Sequence, residues 1–163
     1  AVAILFSGVS VISSAQVTAT ATASSTIVTP IGITKTVDMN FGNVAINSTT
    51  AGTVVLAPAG TRTSTGGVTL PATAGTVAAA EFNVTGANNY TFSITLPSTS
   101  HEIKSGSNTM SVTGFTSTPT PTGTLSATGS ATVKVGATLN VSAGQAAGTY
   151  TSVTPFEVTV NYN

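Results

Sequence analysis

Apolar and polar residues alternate in two segments, one in the middle of the chain and one near its end. In residues 90–96 every second residue is apolar, from Tyr90 to Leu96. The second segment, residues 155–162, has the apolar residues Phe156, Val158, Val160 and Tyr162. Because successive side chains of a β-strand point to opposite faces, each segment is predicted to be a strand with one face in a core.

Other short apolar or alternating runs are separated by turn residues such as Gly, Pro and Asn. They occupy residues 52–57, 67–70, 79–85, 109–116, 124–127 and 131–141. An earlier β-branched run, residues 26–44, contains Pro30 and Gly32, which predict a strand that bends or is broken there. Short strands with regularly placed turns are typical of an all-β antiparallel sandwich, and this is the predicted fold.

The composition supports this fold and narrows the function. The 163 residues suffice for one domain with a full core, and only 5% of them are charged, with a formal net charge of zero. Because there is no basic surface, nucleic-acid binding is not expected. A surface with so little charge favours self-association. The absence of Cys excludes disulfides and thiolate metal sites.

The first 16 residues form an apolar run that ends in small residues. Ser13 and Ala15 have the spacing of the −3 and −1 positions of a signal-peptidase site, which indicates a secretory segment. Alternatively, the run is retained as an extended strand that inserts into another molecule. Both alternatives remain open, and the run is too short and too interrupted to predict stable membrane insertion. Residues 1–25 are thus an N-terminal extension, and residues 26–163 are the β-domain.

Few side chains in the sequence are candidates for chemistry. His101, the only histidine, lies in the most charged stretch of the chain, where a solvated loop is expected. The four acidic residues are Asp38, Glu81, Glu102 and Glu157, and their spacing predicts neither a metal site nor a catalytic carboxylate pair. No Gly-x-Ser-x-Gly motif is present. The sequence therefore predicts a protein without enzymatic activity and without a cofactor.

Two segments carry a resemblance to a known family. Residues 38–44, Asp-Met-Asn-Phe-Gly-Asn-Val, are similar to an early strand ending of chaperone–usher pilins and of spore-coat-U-like secreted subunits. The Gly148-Thr149-Tyr150 segment and the run that ends at Tyr162 are similar to the approach to, and the end of, their final strand. The chain differs from many of these pilins because it has no cysteine pair.

The resemblance implies an incomplete immunoglobulin-like sandwich that is completed by a donor strand from a neighbouring subunit. The implied acceptor groove is lined by Phe156, Val158, Val160 and Tyr162. The implied donor strand contains Val2, Ile4, Phe6, Gly8, Val9, Val11 and Val17.

The function that follows from the resemblance is structural. The expected protein is a subunit of an extracellular, cell-surface filament of a bacterium, a pilus or fimbria, that serves surface attachment or biofilm formation. Its expected partners are identical subunits in a head-to-tail homopolymer, with a periplasmic chaperone and an outer-membrane usher as assembly factors. The alternative is a monomeric secreted β-sandwich that binds polysaccharide or a surface layer, and a complete fold would distinguish it.

Overall fold

The computed structural model describes residues 15–163. Within them all regular structure is β, and every strand pairing is antiparallel, which confirms the predicted class. The strands are β1 (Gly32–Val37), β2 (Ala45–Ile46), β3 (Gly52–Leu56), β4 (Arg62–Gly66), β5 (Val68–Thr69), β6 (Ala80–Thr85), β7 (Thr91–Thr95), β8 (His101–Ser105), β9 (Asn108–Thr118), β10 (Thr122–Thr124), β11 (Ser130–Val141), β12 (Thr151–Ser152) and β13 (Thr159–Tyr162). In this part of the chain no helix has the length and apolar character needed to cross a bilayer.

The larger sheet is organised around β11. Its strand order is β1-β6-β11-β9-β8-β12, and β3 pairs with both β11 and β4. One edge of β11 pairs with β6 over residues 130–135 and then with β3 over residues 137–141. Its other edge pairs with β9. A single strand therefore connects two halves of the sheet.

The second sheet is small and has the order β10-β7-β13. Its central strand β7 is the alternating segment 90–96, and Phe92 in it is completely buried. Gly123 of the neighbouring strand β10 lies so close to Phe92 that an added Cβ would be 2.4 Å from the Phe92 ring. A separate two-stranded ribbon is formed by β2 and β5.

Two clusters of buried apolar side chains lie along the inner face of β11. The first core packs Val133 and Val135 of β11 against β6, β7 and β13. The second core packs Ala137, Leu139 and Val141 of the same strand against β3, β5 and β9. Because side chains two residues apart share a face, one long strand supplies both cores.

The chain turns between β11 and β12, both strands of the larger sheet, at a tyrosine corner. The Tyr150 hydroxyl donates a hydrogen bond to the carbonyl of Ala146, four residues earlier, at 2.8 Å. The side-chain amide of Gln145 donates to the same hydroxyl at 2.8 Å. A tyrosine that bonds back to the backbone in this way marks the corner before a late strand in immunoglobulin-like sandwiches. Here it comes before β12 and β13.

Most predicted strands are present, with some shifts at their ends. The predicted run 124–127 is displaced, because β10 ends at Thr124 and residues 126–129 form a hydrogen-bonded turn. The last run is shorter than predicted, with β13 beginning at Thr159. The early strand β1 begins two residues after Pro30, and its bulge lies between Lys35 and Val37, beyond the break predicted at Pro30 and Gly32.

The prediction of a solvated loop at His101 is wrong. His101 begins β8 and is half-buried, paired with Val112 of β9. Its Nε2 lies 2.9 Å from the Ser152 hydroxyl, and its ring packs edge-on against Phe156 with centroids 5.9 Å apart. The charged neighbours that suggested a loop point to the other face of the strand, where Lys104 and Glu102 form an ion pair at 2.9 Å.

Candidate functional site

The outer edge of β13 has no strand partner among residues 15–163. On its inner side β13 pairs with β7, with Thr159 opposite Thr95 and Asn161 opposite Ser93. The Asn163 amide donates to the Thr91 carbonyl at 3.3 Å. Because hydrogen-bonded and non-hydrogen-bonded residues alternate in an antiparallel pair, the backbone groups of Val160 and Tyr162 point away from β7. These backbone groups form an open edge that can pair with another strand.

A second open edge, that of β1, lies next to it. One side of β1 pairs with β6, with Ile33 opposite Val84. On the other side, Cα atoms of β1 and β13 come within 8 Å of each other, but no backbone hydrogen bond joins the two strands. The two strands are thus neighbours that are not paired in one ladder, and their closest approach is shorter than the ~10 Å between stacked sheets. We call this opening between β1 and β13 the seam.

Half-buried apolar side chains line the seam. Ile31 and Ile33 on the β1 side pack against the first core and keep part of their surface exposed. Phe156, Val158 and Tyr162 do the same on the β13 side, whereas Val160 is 7% exposed. Deeper members of the first core are fully buried. The first core is therefore only partly covered along the seam.

The four residues predicted to line an acceptor groove share one face of the last segment. Phe156, Val158, Val160 and Tyr162 point inwards, and Glu157, Thr159 and Asn161 between them are exposed. Phe156 lies at one end of the seam, where its ring contacts Phe82 and Phe115 with centroids 6.4 and 5.1 Å away. Tyr162 lies at the other end, where β1 begins.

The arm, defined here as residues 15–28, leaves the domain next to Tyr162. It contains no strand, and all its residues except the half-buried Val28 are exposed. Val17 is 91% exposed and Ile27 is 97% exposed. Of the predicted donor residues, only Val17 belongs to the described part of the chain. The other six, Val2, Ile4, Phe6, Gly8, Val9 and Val11, lie outside the described residues.

The Asn-Phe-Gly-Asn segment that carries part of the family resemblance is a tightly held turn. The Asn40 side chain accepts a hydrogen bond from the Gly42 amide at 2.8 Å. Gly42 has a φ of 68°, and an added Cβ would lie 2.4 Å from the Ala74 carbonyl oxygen. A side chain there would be strained and would collide with backbone, so this turn requires glycine.

Arg62 stabilises this turn and was missed by the sequence analysis. Its Nη1 donates hydrogen bonds to the carbonyls of Phe41 and Asn43, the latter at 2.8 Å. Its Nη2 lies 3.5 Å from the Ala74 carbonyl. Since all its partners are backbone oxygens from other segments, no side-chain motif in the sequence could have revealed the role.

The charged residues form surface ion pairs rather than a reactive cluster. Lys35 pairs with Asp38 at 2.6 Å, and Lys134 pairs with Glu81 at 2.6 Å. Among residues 15–163 no group of three or more histidine and acidic side chains is placed to hold a metal ion. A cleft of about 390 Å³ lies at the Phe156 end of the seam, between the β7–β8 loop and residues 155–159, and Glu157 is in its wall.

The described part of the chain is thus an antiparallel β-protein with two apolar cores and an open seam beside the first core. Residues 31–162 match the family model of a domain of unknown function, DUF4402, so the chain belongs to that family. The matched region begins at the first residue of the seam wall and ends at Tyr162. No curated protein and no solved structure matches the chain.

Proposed function

We propose that the protein is a structural subunit of an extracellular bacterial filament, in which the N-terminal extension of one copy fills the seam of the next. The observation that carries the proposal is the combination, in one chain, of an open seam and an exposed arm. The seam offers two backbone edges and half-buried apolar side chains. The arm offers alternating small side chains that find no partner in their own domain.

Backbone chemistry favours an added strand at the seam. Unpaired N–H and C=O groups at a sheet edge are a template for pairing with another chain. A strand placed between β1 and β13 would hydrogen-bond to both edges and cover Ile33 and Val158. Three strands in a ladder need roughly 9.6 Å between the outer two, twice the usual spacing. The closest parts of the seam, where Cα atoms lie within 8 Å, would therefore have to open by at least about 1.6 Å to admit the strand.

The topology of such an exchange favours a fibre over a closed dimer. Each copy would give its extension at one place and receive one at another, which is a head-to-tail contact. Contacts of this type produce open filaments when the rotation between subunits does not close. With 5% charged residues, little electrostatic repulsion opposes close packing of many copies.

Three further features support a filament of the pilus type, built from immunoglobulin-like subunits. The tyrosine corner at Tyr150 before the last two strands is typical of an immunoglobulin-like sandwich. The Asn-Phe-Gly-Asn turn and the end of the chain resemble those of chaperone–usher pilins. The apolar N-terminal run suits an exported protein. Identical copies are the proposed partners, with a periplasmic chaperone and an outer-membrane usher as assembly factors, and no cofactor is needed.

The test is to look for strand-exchanged polymers of the full chain. The purified protein, incubated at high concentration, is run in detergent gels with and without boiling. We expect a ladder of regularly spaced bands that collapses to one band on boiling, because a paired and buried strand exchanges slowly. A synthetic peptide of residues 1–28, added in excess before assembly, should shorten the ladder by capping seams. A peptide of the same composition and scrambled order is the control.

One result would contradict the proposal. A single monomer band with and without boiling, together with a monomer in gel filtration at every concentration, would show that no exchange occurs. That result would favour the monomeric secreted β-sandwich that binds polysaccharide or a surface layer.

A further inference from the structure

The side chain of Tyr162 is hydrogen-bonded to the backbone at the point where the arm leaves the domain. Its hydroxyl accepts a hydrogen bond from the Ala87 amide at 2.6 Å and donates one to the Thr29 carbonyl at 2.7 Å. Its ring packs edge-on against Tyr90, with centroids 5.6 Å apart. The last strand of the described residues is therefore bonded to the chain just before the first strand, 133 residues earlier.

The position of this hydroxyl is closely constrained. An added Cβ on Gly86 would lie 2.2 Å from the Tyr162 hydroxyl oxygen and 3.1 Å from the ring. The next residue along the chain, Ala87, supplies the amide that bonds to the hydroxyl. The tyrosine thus reaches Thr29 through a gap that only glycine leaves open, and it has little freedom to point elsewhere.

The arm is long enough to fill the seam of its own domain. Extended at roughly 3.3 Å per residue, residues 15–28 span about 46 Å. The seam along residues 156–162 is about 23 Å long on the same basis. A reversal of direction needs only about two to five residues. Length alone therefore does not decide whether the arm fills its own seam or that of another copy.

The direction of the chain at Thr29 favours the seam of another copy. The shortest path of the arm into its own seam reverses where the arm meets β1, at Thr29 and Pro30. The Thr29 carbonyl is held by Tyr162, and a residue before proline is disfavoured in the helical conformation that most tight turns use. In the structure the arm indeed stays out of the seam, with residues 15–27 exposed.

We infer that Tyr162 is a positioning residue that directs the arm away from its own seam and so makes a second copy of this chain the preferred donor. This inference rests on the proposed function, because it concerns whether an arm fills the seam of its own chain or the seam of another copy. Without the hydroxyl, the arm reverses more easily. Closed monomers, in which the arm fills the seam of its own domain, then compete with polymer formation, whereas open monomers keep the arm exposed.

The experiment compares Tyr162→Phe with Tyr90→Phe. Both changes remove one hydroxyl from the same edge-on ring pair, but only the Tyr162 hydroxyl bonds to the backbone of Thr29 and Ala87. The chain has no Cys, so an Ala19→Cys background, at an exposed arm position on the same side of an extended chain as Val17, gives one thiol that reports whether the arm is exposed. After refolding at low concentration, gel filtration separates monomer from polymer, and the maleimide reaction rate of the monomer separates open from closed forms.

We expect Tyr162→Phe to raise the ratio of closed to open monomer roughly five- to tenfold, the effect of losing one hydrogen bond of ordinary net strength, that to the Thr29 carbonyl. The detergent-resistant ladder should decrease in parallel, and Tyr90→Phe should behave like the parent. If Tyr162→Phe only lowers the thermal midpoint of monomer and polymer and leaves their ratio unchanged, its role is merely structural and the inference is overturned.

A second variant covers the possibility that Tyr162→Phe does not fold. Pro30→Gly leaves the hydroxyl in place and removes the restriction on Thr29 at an exposed position. It should also raise the closed fraction, and an unchanged fraction would overturn the inference. If the parent chain itself gives no ladder, the proposed function is refuted, which is a different outcome from a ladder that Tyr162→Phe does not alter.

Discussion

Two neighbouring residues of the arm provide a sharp test of strand exchange. Val17 and Thr18 point to opposite sides of an extended chain, so only one of them can face a seam. Val17 is 91% exposed in the monomer, and Thr18 is also exposed. Val17→Asp and Thr18→Asp add the same charge one residue apart. Each should change the free energy of unfolding of the monomer by no more than about 0.5 kcal/mol.

The two variants should differ strongly in polymerisation. Burying a valine side chain contributes about 1.5 to 3 kcal/mol. Burying an aspartate in its place forfeits this and adds a desolvation cost of about 2 kcal/mol or more. A loss of at least about 3 kcal/mol per contact corresponds to an association constant lowered roughly 100-fold or more. Thr18→Asp, which faces solvent in the exchanged strand, should assemble nearly as well as the parent.

The assay is the detergent ladder as a function of protein concentration, with circular dichroism to show that both variants fold. The concentration at which half of the protein is polymeric should rise at least 100-fold for Val17→Asp, by the estimate above. Equal ladders for both variants would show that residue 17 does not enter a seam. A larger effect of Thr18→Asp would show that the opposite face of the arm is the one that enters.

Two further predictions concern the scaffold that holds the seam. Arg62→Met removes the charged hydrogen bonds to Phe41 and Asn43, so it should lower the free energy of unfolding in urea by about 2 to 3 kcal/mol, with an unchanged slope. The exposed Lys134→Met should cost less than about 1 kcal/mol, and equal losses would contradict the assigned role of Arg62. Gly123→Ala places a methyl group 2.4 Å from the buried Phe92 ring. It should lower the thermal midpoint by several degrees, about 1 to 3 kcal/mol of overpacking, whereas a midpoint within about one degree of the parent would show that the ring can move aside.

The fold class could be predicted because apolar and polar residues alternate in the sequence wherever one face of a strand is buried. Residues 90–96 and 131–141 are strands for this reason. The segment His101–Ser105 was predicted as a loop because its outward positions are charged, although Ile103 between them faces the second core. Charge on one face of a strand does not exclude burial of the other.

The candidate site was only partly predictable. The inward direction of Phe156, Val158 and Val160 follows from a period of two. The open edges beside them consist of backbone groups, which every residue has, so the sequence has no signal for them. The hydrogen bonds of Tyr162 to Thr29 and Ala87 join positions 133 and 75 residues apart. Such contacts depend on the completed fold and not on any local pattern.

The division of the interior into two cores along β11 has a consequence for local unfolding. The first core is bounded by the seam, whereas the second is covered by the β3–β4 hairpin, β5 and β9. Local opening free energies vary within one protein, and regions with exposed backbone open most readily. Amide hydrogens of β13 should therefore exchange faster with solvent deuterium than those in the 137–141 half of β11. When a strand enters the seam, protection should increase mainly in the half around the first core, while the second half keeps its exchange rates and preserves the fold during assembly.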